Sequence, residues 1–432
     1  MHTRCLRHIV ASIIIFELST TAKDVKAIDL TYEVNSNIEY SDNVRRANEN
    51  PINTWTGIVG ASANYSQQAS NYAINIRPEF LYRNYRNEQL EDRLYLDLDA
   101  TLLLDLKPNS FLWSFENYLT QTTVDIMEPD TPFNLQQTNL FSTGPDINYR
   151  INKGRNIEFR LRYLDFYYEI SNADNKRFGV LTSIKSNRDA VTQNSINFDY
   201  VVVKYQDEIN NDDYNRADAY FSQEKIYENT EYKIDLGYTG IKRRNSGNLG
   251  GAMANLRIEK DINSRSGIFV AGYVQYTDSS RNFLFSRAYR DNINPIGAAV
   301  TSYIYYEKLL SVQYRWSGTV NNWNFDYSYS DQDYGGRNND LDRRFQQAGI
   351  LYTRNISVLM SMGLSARFTK TNYLNYDSED KDKEISASIQ YRLSRSFTSM
   401  FQYSRSTRDS TEIARNYLEN RAVLTLVYNN RQ

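Results

Sequence analysis

"LYLDLDATLLLDL", residues 94–106, decides the fold. Leu94, Leu96, Leu98, Ala100, Leu102 and Leu104 share one parity, while Tyr95, Asp97, Asp99, Thr101 and Asp105 take the other. Successive side chains of a β-strand point to opposite faces, so this segment has one apolar face and one charged face. A helix would scatter the carboxylates around its circumference instead.

The alternation continues in both directions from this segment. Upstream, Leu30, Tyr32, Val34, Ile38 and Tyr40 alternate with Thr31, Glu33, Asn35, Asn37 and Glu39. Tyr72, Ile74, Ile76, Phe80 and Tyr82 stand opposite Asn75, Arg77, Glu79 and Arg83. Downstream, the pattern recurs at Ile157/Phe159/Leu161, Ile196/Phe198/Tyr200, Leu236/Tyr238, Phe325/Tyr327, Leu364/Ala366/Phe368, Ile385/Ala387/Ile389 and Leu424/Leu426/Tyr428. No stretch after residue 27 shows a helical period.

Connections alternate in length. Short ones such as 67–71, 107–110, 152–156, 261–266, 317–322 and 394–396 are interleaved with longer polar ones: 42–52, 84–91, 121–140, 206–216, 241–250, 277–298, 331–343, 371–383 and 405–420. Tight turns at one rim and long loops at the other, joining amphipathic strands, describe a transmembrane antiparallel up-and-down β-barrel. The fold class expected is all-β, with about 20 strands or, as the alternative, about 18. Its apolar parity faces lipid and its polar parity a hydrated interior. Closure leaves no backbone edge unpaired in hydrocarbon. A soluble β-helix would instead show a fixed repeat, which is absent.

Composition agrees with this reading. The 432 residues carry a net charge of −2, 36 Tyr and only 7 Pro, at a mean hydropathy of −0.65. No apolar run is long enough for a membrane helix, but barrel strands need only about ten alternating residues. Tyrosines near strand ends (Tyr40, Tyr65, Tyr72, Tyr82, Tyr163, Tyr238, Tyr276 and Tyr428) suit an aromatic girdle at the headgroup level. Residues 1–27 read as a signal peptide: Arg4 and Arg7, the apolar "IVASIIIF" (9–16), then Val25-Lys26-Ala27 as the cleavage site, with Ala22 as the alternative. Residues 28–432 then form the barrel, expected in the bacterial outer membrane.

Cys5, His2 and His8 lie within that signal, so residues 28–432 hold neither Cys nor His. This removes disulfides, thiolate and imidazole metal sites, and Ser–His or Cys–His catalysis. The near-neutral charge gives no reason for a nucleic-acid partner. No catalytic, cofactor-binding or metal residues are assigned, no cofactor is called for, and the chain is not read as an enzyme. Asp331, Asp333, Gly336 and Asp342 in "DQDYGGRNNDLD" fall at calcium-loop positions, but Asp replaces the terminal bidentate Glu, and a solvated loop is the better reading. "DSEDKDKE" (377–384) reads as a hydrated loop tip. The lumen-lining candidates are Arg77, Glu79, Arg83, Arg93, Asp97, Asp99, Arg160 and Arg162. On neighbouring strands, the first six are expected to form a cross-strand salt-bridge ladder, with Arg160 and Arg162 either attracting an anionic polymer or pairing with Glu158 and other acids.

Three short motifs carry a resemblance. "YSDNV" (40–44), "LDRR" (341–344) and "YLENR" (417–421) are similar to segments of the PEP-CTERM system-associated outer-membrane proteins, β-barrel porins linked to exopolysaccharide export. The resemblance implies a porin-like conduit associated with exopolysaccharide secretion and PEP-CTERM surface-protein sorting. Its implied partners are outer-membrane lipid, exopolysaccharide and periplasmic export components. Two alternatives stay open: a closed structural or docking barrel for secretion machinery, with loops 121–140 and 277–298 folding inward or binding partners, and a barrel enzyme acting on polysaccharide or lipid.

Overall fold

A computed structural model describes residues 27–207, 212–288, 300–335 and 340–430. The expected signal peptide lies outside them, apart from Ala27, which opens the first strand.

Twenty antiparallel strands follow one another around a closed sheet. They are β1 (Ala27–Ser41), β2 (Thr54–Gln68), β3 (Tyr72–Tyr85), β4 (Arg93–Lys107), β5 (Phe111–Thr123), β6 (Leu135–Asn152), β7 (Arg155–Tyr168), β8 (Asn175–Asn187), β9 (Thr192–Tyr205) and β10 (Tyr214–Tyr227). The second half comprises β11 (Thr230–Arg243), β12 (Leu249–Asn263), β13 (Ser266–Thr277), β14 (Tyr305–Ser317), β15 (Asn321–Asp333), β16 (Arg343–Asn355), β17 (Met360–Tyr373), β18 (Ser378–Arg392), β19 (Phe397–Ser410) and β20 (Tyr417–Asn429). Each strand pairs with its sequence neighbour, and β1 pairs with β20 from Glu33↔Asn429 to Ser41↔Arg421. An even strand number places both ends of the sheet at the short-turn rim.

The parity read from residues 94–106 holds through the register. Leu98 lies opposite Leu119 and Pro78, while Asp97 lies opposite Glu79. The first set shares the outer face with Leu94, which is half exposed, and the second shares the lumen. Outward Leu30, Ile38, Phe198, Leu236, Ile385 and Leu424 are all exposed, because their solvent is lipid rather than protein. Girdle rings meet at a tilt between strands, as with Tyr40 and Trp55, centroids 5.0 Å apart, and Tyr276 and Tyr306, 4.9 Å apart.

The structure differs from the sequence reading at the loop rim. "DSEDKDKE" is not a loop tip: β18 begins at Ser378 and carries nearly all of it. Asp331 and Asp333 likewise belong to β15. Strands of about 14 residues at about 3.3 Å each, tilted about 40°, stand about 35 Å tall, while the apolar band is about 25 Å. The excess stands in the headgroup and water layers, where both faces are polar and alternation of hydropathy disappears.

The second difference is a helix, α1 (Ser279–Ala288), within the β13–β14 connection. It carries no apolar stripe, because it lies in a polar lumen with partners on several sides, so no helical period marked it.

A candidate solute path through the lumen

Inner-parity side chains of β1 to β5 meet at a cavity of about 780 Å³. Its walls include Glu33, Arg77, Glu79, Asp97 and Asp99, and its inward boundary includes Asn282 and Phe283 of α1. Four of the lumen-lining candidates therefore come together here. The register gives the expected ladder one rung of opposite charge. Arg77 is opposite Asp99, but Glu79 faces Asp97 and Arg83 faces Arg93, so two rungs oppose like charges. Arg77 Nε donates to Asn64 Oδ1 at 3.2 Å. Arg83 reaches to Glu39 on β1 at 3.4 Å, and the Arg93 guanidinium lies 5.4 Å from the Phe133 ring centre. Parity alone assigns the face of each residue but not its rung.

Arg160 and Arg162 lie apart from this group, at a second cavity of about 330 Å³ that Arg177, Arg216, Arg281, Asp199 and Asp278 also line. Both are paired. Arg160 contacts Glu158 at 2.8 Å and Asp146 at 3.4 Å, and Arg162 contacts Asp146 at 2.6 Å. The bland alternative, structural pairing across the wall, describes these two arginines.

The side chains that shape the lumen are ones the sequence reading missed. Asp278 caps α1: its Oδ1 accepts the backbone N–H groups of Ser280 and Arg281, each at 3.1 Å. The same carboxylate takes a fork from Arg177 on β8, at 2.6 and 3.2 Å, and the Tyr214 hydroxyl of β10 at 2.5 Å. Burial opposes ionisation of Asp278. The Arg177 charge and these hydrogen bonds outweigh it and hold the carboxyl well below the usual carboxylate range. Ser280 Oγ bonds the Tyr168 hydroxyl and accepts from Asn175, Arg281 pairs with Asp218 at 3.2 Å, and Asn282 donates to Tyr305 at 3.0 Å. Phe283 meets Phe166 edge-on beside Leu140 and Tyr118. The helix is thus held inside the barrel from β5 round to β14. The only sequence sign was an Asp followed by two serines, an N-cap pattern with just three consecutive apolar residues, 283–285, behind it and no helical repeat of them.

A second segment crosses at the loop rim. Residues 124–134, between β5 and β6, are organised by Asn134, whose amide donates to Asp125 O at 2.7 Å and Pro129 O at 3.2 Å. Ile126 O accepts from the Tyr373 hydroxyl and Met127 O from Arg408, both at 3.3 Å, which ties this segment to β17 and β19. Gly336 of the calcium-like pattern lies outside the described residues. Its neighbours do not converge: Asp333 accepts Gly335 N–H, Asp342 accepts Tyr334 N–H, and Asp331 faces outward between Lys308 and Arg344. Among the described residues no group of acids is placed to hold a metal ion.

No family model matches the chain, and no curated protein matches it. Among solved structures it is similar to Pseudomonas aeruginosa OccK2 (OpdF), crystallised in complex with glucuronate, at 7% identity and a TM-score of 0.42, covering 95% of this chain and 100% of that one. It is also similar to Pseudomonas aeruginosa OprD (9% identity, TM-score 0.39, coverage 95% and 100%). A third is the copper transporter OprC (7% identity, TM-score 0.46, coverage 93% and 80%). The fold stands on the chain's own pairing. A closed 20-stranded antiparallel barrel with an apolar exterior and a polar lumen is a porin-like barrel of the bacterial outer membrane.

Proposed function

We propose that this barrel is a conduit for hydrophilic solutes, associated with exopolysaccharide secretion and PEP-CTERM surface-protein sorting. One observation carries the conduit: beside the inward helix a polar cavity of about 780 Å³ remains, lined by Arg77, Glu79, Asp97 and Asp99. Barrels of this circumference exceed what their own side chains can fill. The association with secretion and sorting rests on the resemblance of "YSDNV", "LDRR" and "YLENR" alone. Exopolysaccharide and periplasmic export components are the partners this reading names. Passage requires no chemical step, and no catalytic residue is proposed.

Single-channel recording in planar bilayers tests the conduit. Discrete conductance steps are expected, and complete silence of correctly folded protein would sink it. Deletion in the native host tests the association: exopolysaccharide export and surface-protein retention should both fall.

A second reading, a closed docking barrel, draws on the two segments tied across the lumen, 124–134 and α1. Crosslinking from the short-turn rim should then recover a periplasmic export component from a barrel that conducts nothing.

A further inference from the structure

The outer face of the barrel is not uniform near its loop rim. On β1 and β2 the outward residues at this level are the neutral aromatics Tyr40 and Trp55. On β14 to β19 they are cations: Lys308, Arg344, Lys370, Lys381, Lys383 and Arg405. Their direction follows from the register. Lys308 precedes outward Leu310 by two residues, Lys370 lies opposite Lys381, Lys383 opposite Phe368, and Arg405 opposite Ile385. Leu310, Phe368 and Ile385 are exposed on the lipid side, so the cations share it.

Acids at the same level interleave only with the outermost cations. Asp331 lies 3.7 Å from both Lys308 and Arg344. Glu379 bridges Lys370 at 2.7 Å and Lys381 at 2.6 Å. Asp333 and Asp409 complete the outward acids of these strands. Lys383 and Arg405 sit nearer the apolar band, beside Phe368 and Ile385, and form no ion pair among the described residues. A rim standing wholly in water needs no such gradient. Mixed charge above and cations alone below is the order expected where anionic headgroups lie between water and acyl chains. Aliphatic stems can lie along the band while the charged ends reach headgroup phosphate.

We propose that this strip on β14 to β19 binds the phosphate groups of an anionic glycolipid in the leaflet at the loop rim. Guanidinium and ammonium groups spaced along adjacent strands engage phosphate oxygens, and Phe368 and Ile385 pack against the acyl chains. The strip gives one flank of the barrel a fixed lipid neighbour, whatever passes through the lumen.

The test uses the folded full-length barrel in detergent micelles, titrated with lipid A, with the same lipid stripped of its phosphates, and with inorganic phosphate. Retained lipid is counted by native mass spectrometry. Lipid A should bind, and binding should weaken with added salt. The stripped lipid and inorganic phosphate should not compete. A cation beside an anionic membrane surface contributes about fivefold, so the K370Q/K383Q/R405Q variant should lose affinity on the order of a hundredfold. A variant with the same charge change on another flank, K176Q/K204Q/K242Q, whose lysines point outward near the loop rim of β8, β9 and β11, should keep most of it. Equal binding by the strip variant and wild type would overturn the proposal. Equal loss in both variants would also overturn it, because net charge would then be the cause. Equal binding of the stripped lipid, or of inorganic phosphate, would overturn it as well. If the strip variant does not fold, the salt titration of the wild type decides: affinity indifferent to salt rejects a phosphate contact.

Discussion

At the scale of single residues, one step along the chain changes the solvent. Leu98 faces lipid and Asp97 faces the lumen, so the same substitution at each separates the two environments. Arg at a lipid-facing midplane position costs about 2–4 kcal/mol, whereas in the lumen it meets water and carboxylates. Leu98→Arg should depress assembly and heat-resistant migration on gels, while Asp97→Arg should assemble nearly normally. Equal assembly of both would mean that the register has slipped by one residue. Gly144 makes a second residue-level case. Its φ is +157°, and a Cβ there would run into the Leu161 carbonyl of β7, at the point where β6–β7 pairing is interrupted between Thr143 and Asp146. Gly144→Val should lower the gel-melting temperature, by an amount equivalent to about 1–3 kcal/mol, because the clash is with backbone. An unchanged midpoint would show that the wall yields there. Parity was legible from sequence at Asp97 and Leu98. The close approach at Gly144 was not, because it depends on the neighbouring strand.

Among the elements, α1 starts on a buried carboxylate that both caps it and ties it to the barrel wall. Asp278 caps it and pairs with Arg177, and the two side chains are 2% and 5% exposed. Removing one partner of such a buried pair costs about 3–5 kcal/mol, because the other charge is left uncompensated. Asp278→Asn should therefore release α1 while the strand pairing persists, which would appear as larger or noisier conductance and new proteolytic cleavage after Arg281. An identical cleavage pattern would argue against the latch. The same group sets a pH dependence. Its folded pKa lies below the unfolded value of about 3.9, so its contribution is complete above that value and is lost as pH falls below it. Docking of α1 should be unchanged between pH 7 and pH 5 and should weaken only under about pH 4. In Asp278→Asn this acid-dependent step should be missing. The charged tip of β18 teaches the complementary lesson. Glu379, Lys381 and Lys383 point outward, and Asp380, Asp382 and Glu384 inward, so charge on both faces disguised a strand as a loop.

For the whole molecule, closure is the decisive event, and residues near the two ends of the barrel carry it. Asn420 donates its backbone and amide N–H groups to the Asp42 carboxylate, each at 2.7 Å, and Ser41 donates to Glu419 at 2.7 Å. Two of the three motifs quoted from sequence, "YSDNV" and "YLENR", therefore meet at the seam between β1 and β20. This seam runs only from Glu33 to Ser41 on β1, whereas β1 pairs with β2 over its whole length. Side-chain bonds should then matter more here than elsewhere. Asp42→Ala leaves the Asn420 donors unmatched and should cost about 1–3 kcal/mol, read as a lower temperature for loss of heat-resistant migration. Combining it with Glu419→Ala should give less than the sum, since both act on one seam. Strict additivity, or no shift, would show that the backbone pairs alone hold it closed.

The sequence by itself determined the fold class, the faces of the alternating segments and the two rims. Side-chain direction has a period of two, and a bilayer permits only a closed sheet to satisfy its backbone. Arg77, Glu79, Asp97 and Asp99 could be assigned to the lumen for the same reason. The tertiary structure alone decided which of them stand opposite one another, because rung depends on register, which hydropathy does not encode. It also decided that Arg160 and Arg162 pair with Glu158 and Asp146. The placing of α1 belongs to it as well. A helix inside a polar lumen is held by Arg177, Tyr214, Asp218 and Tyr305, residues far apart in the chain, and leaves no periodic mark of its own.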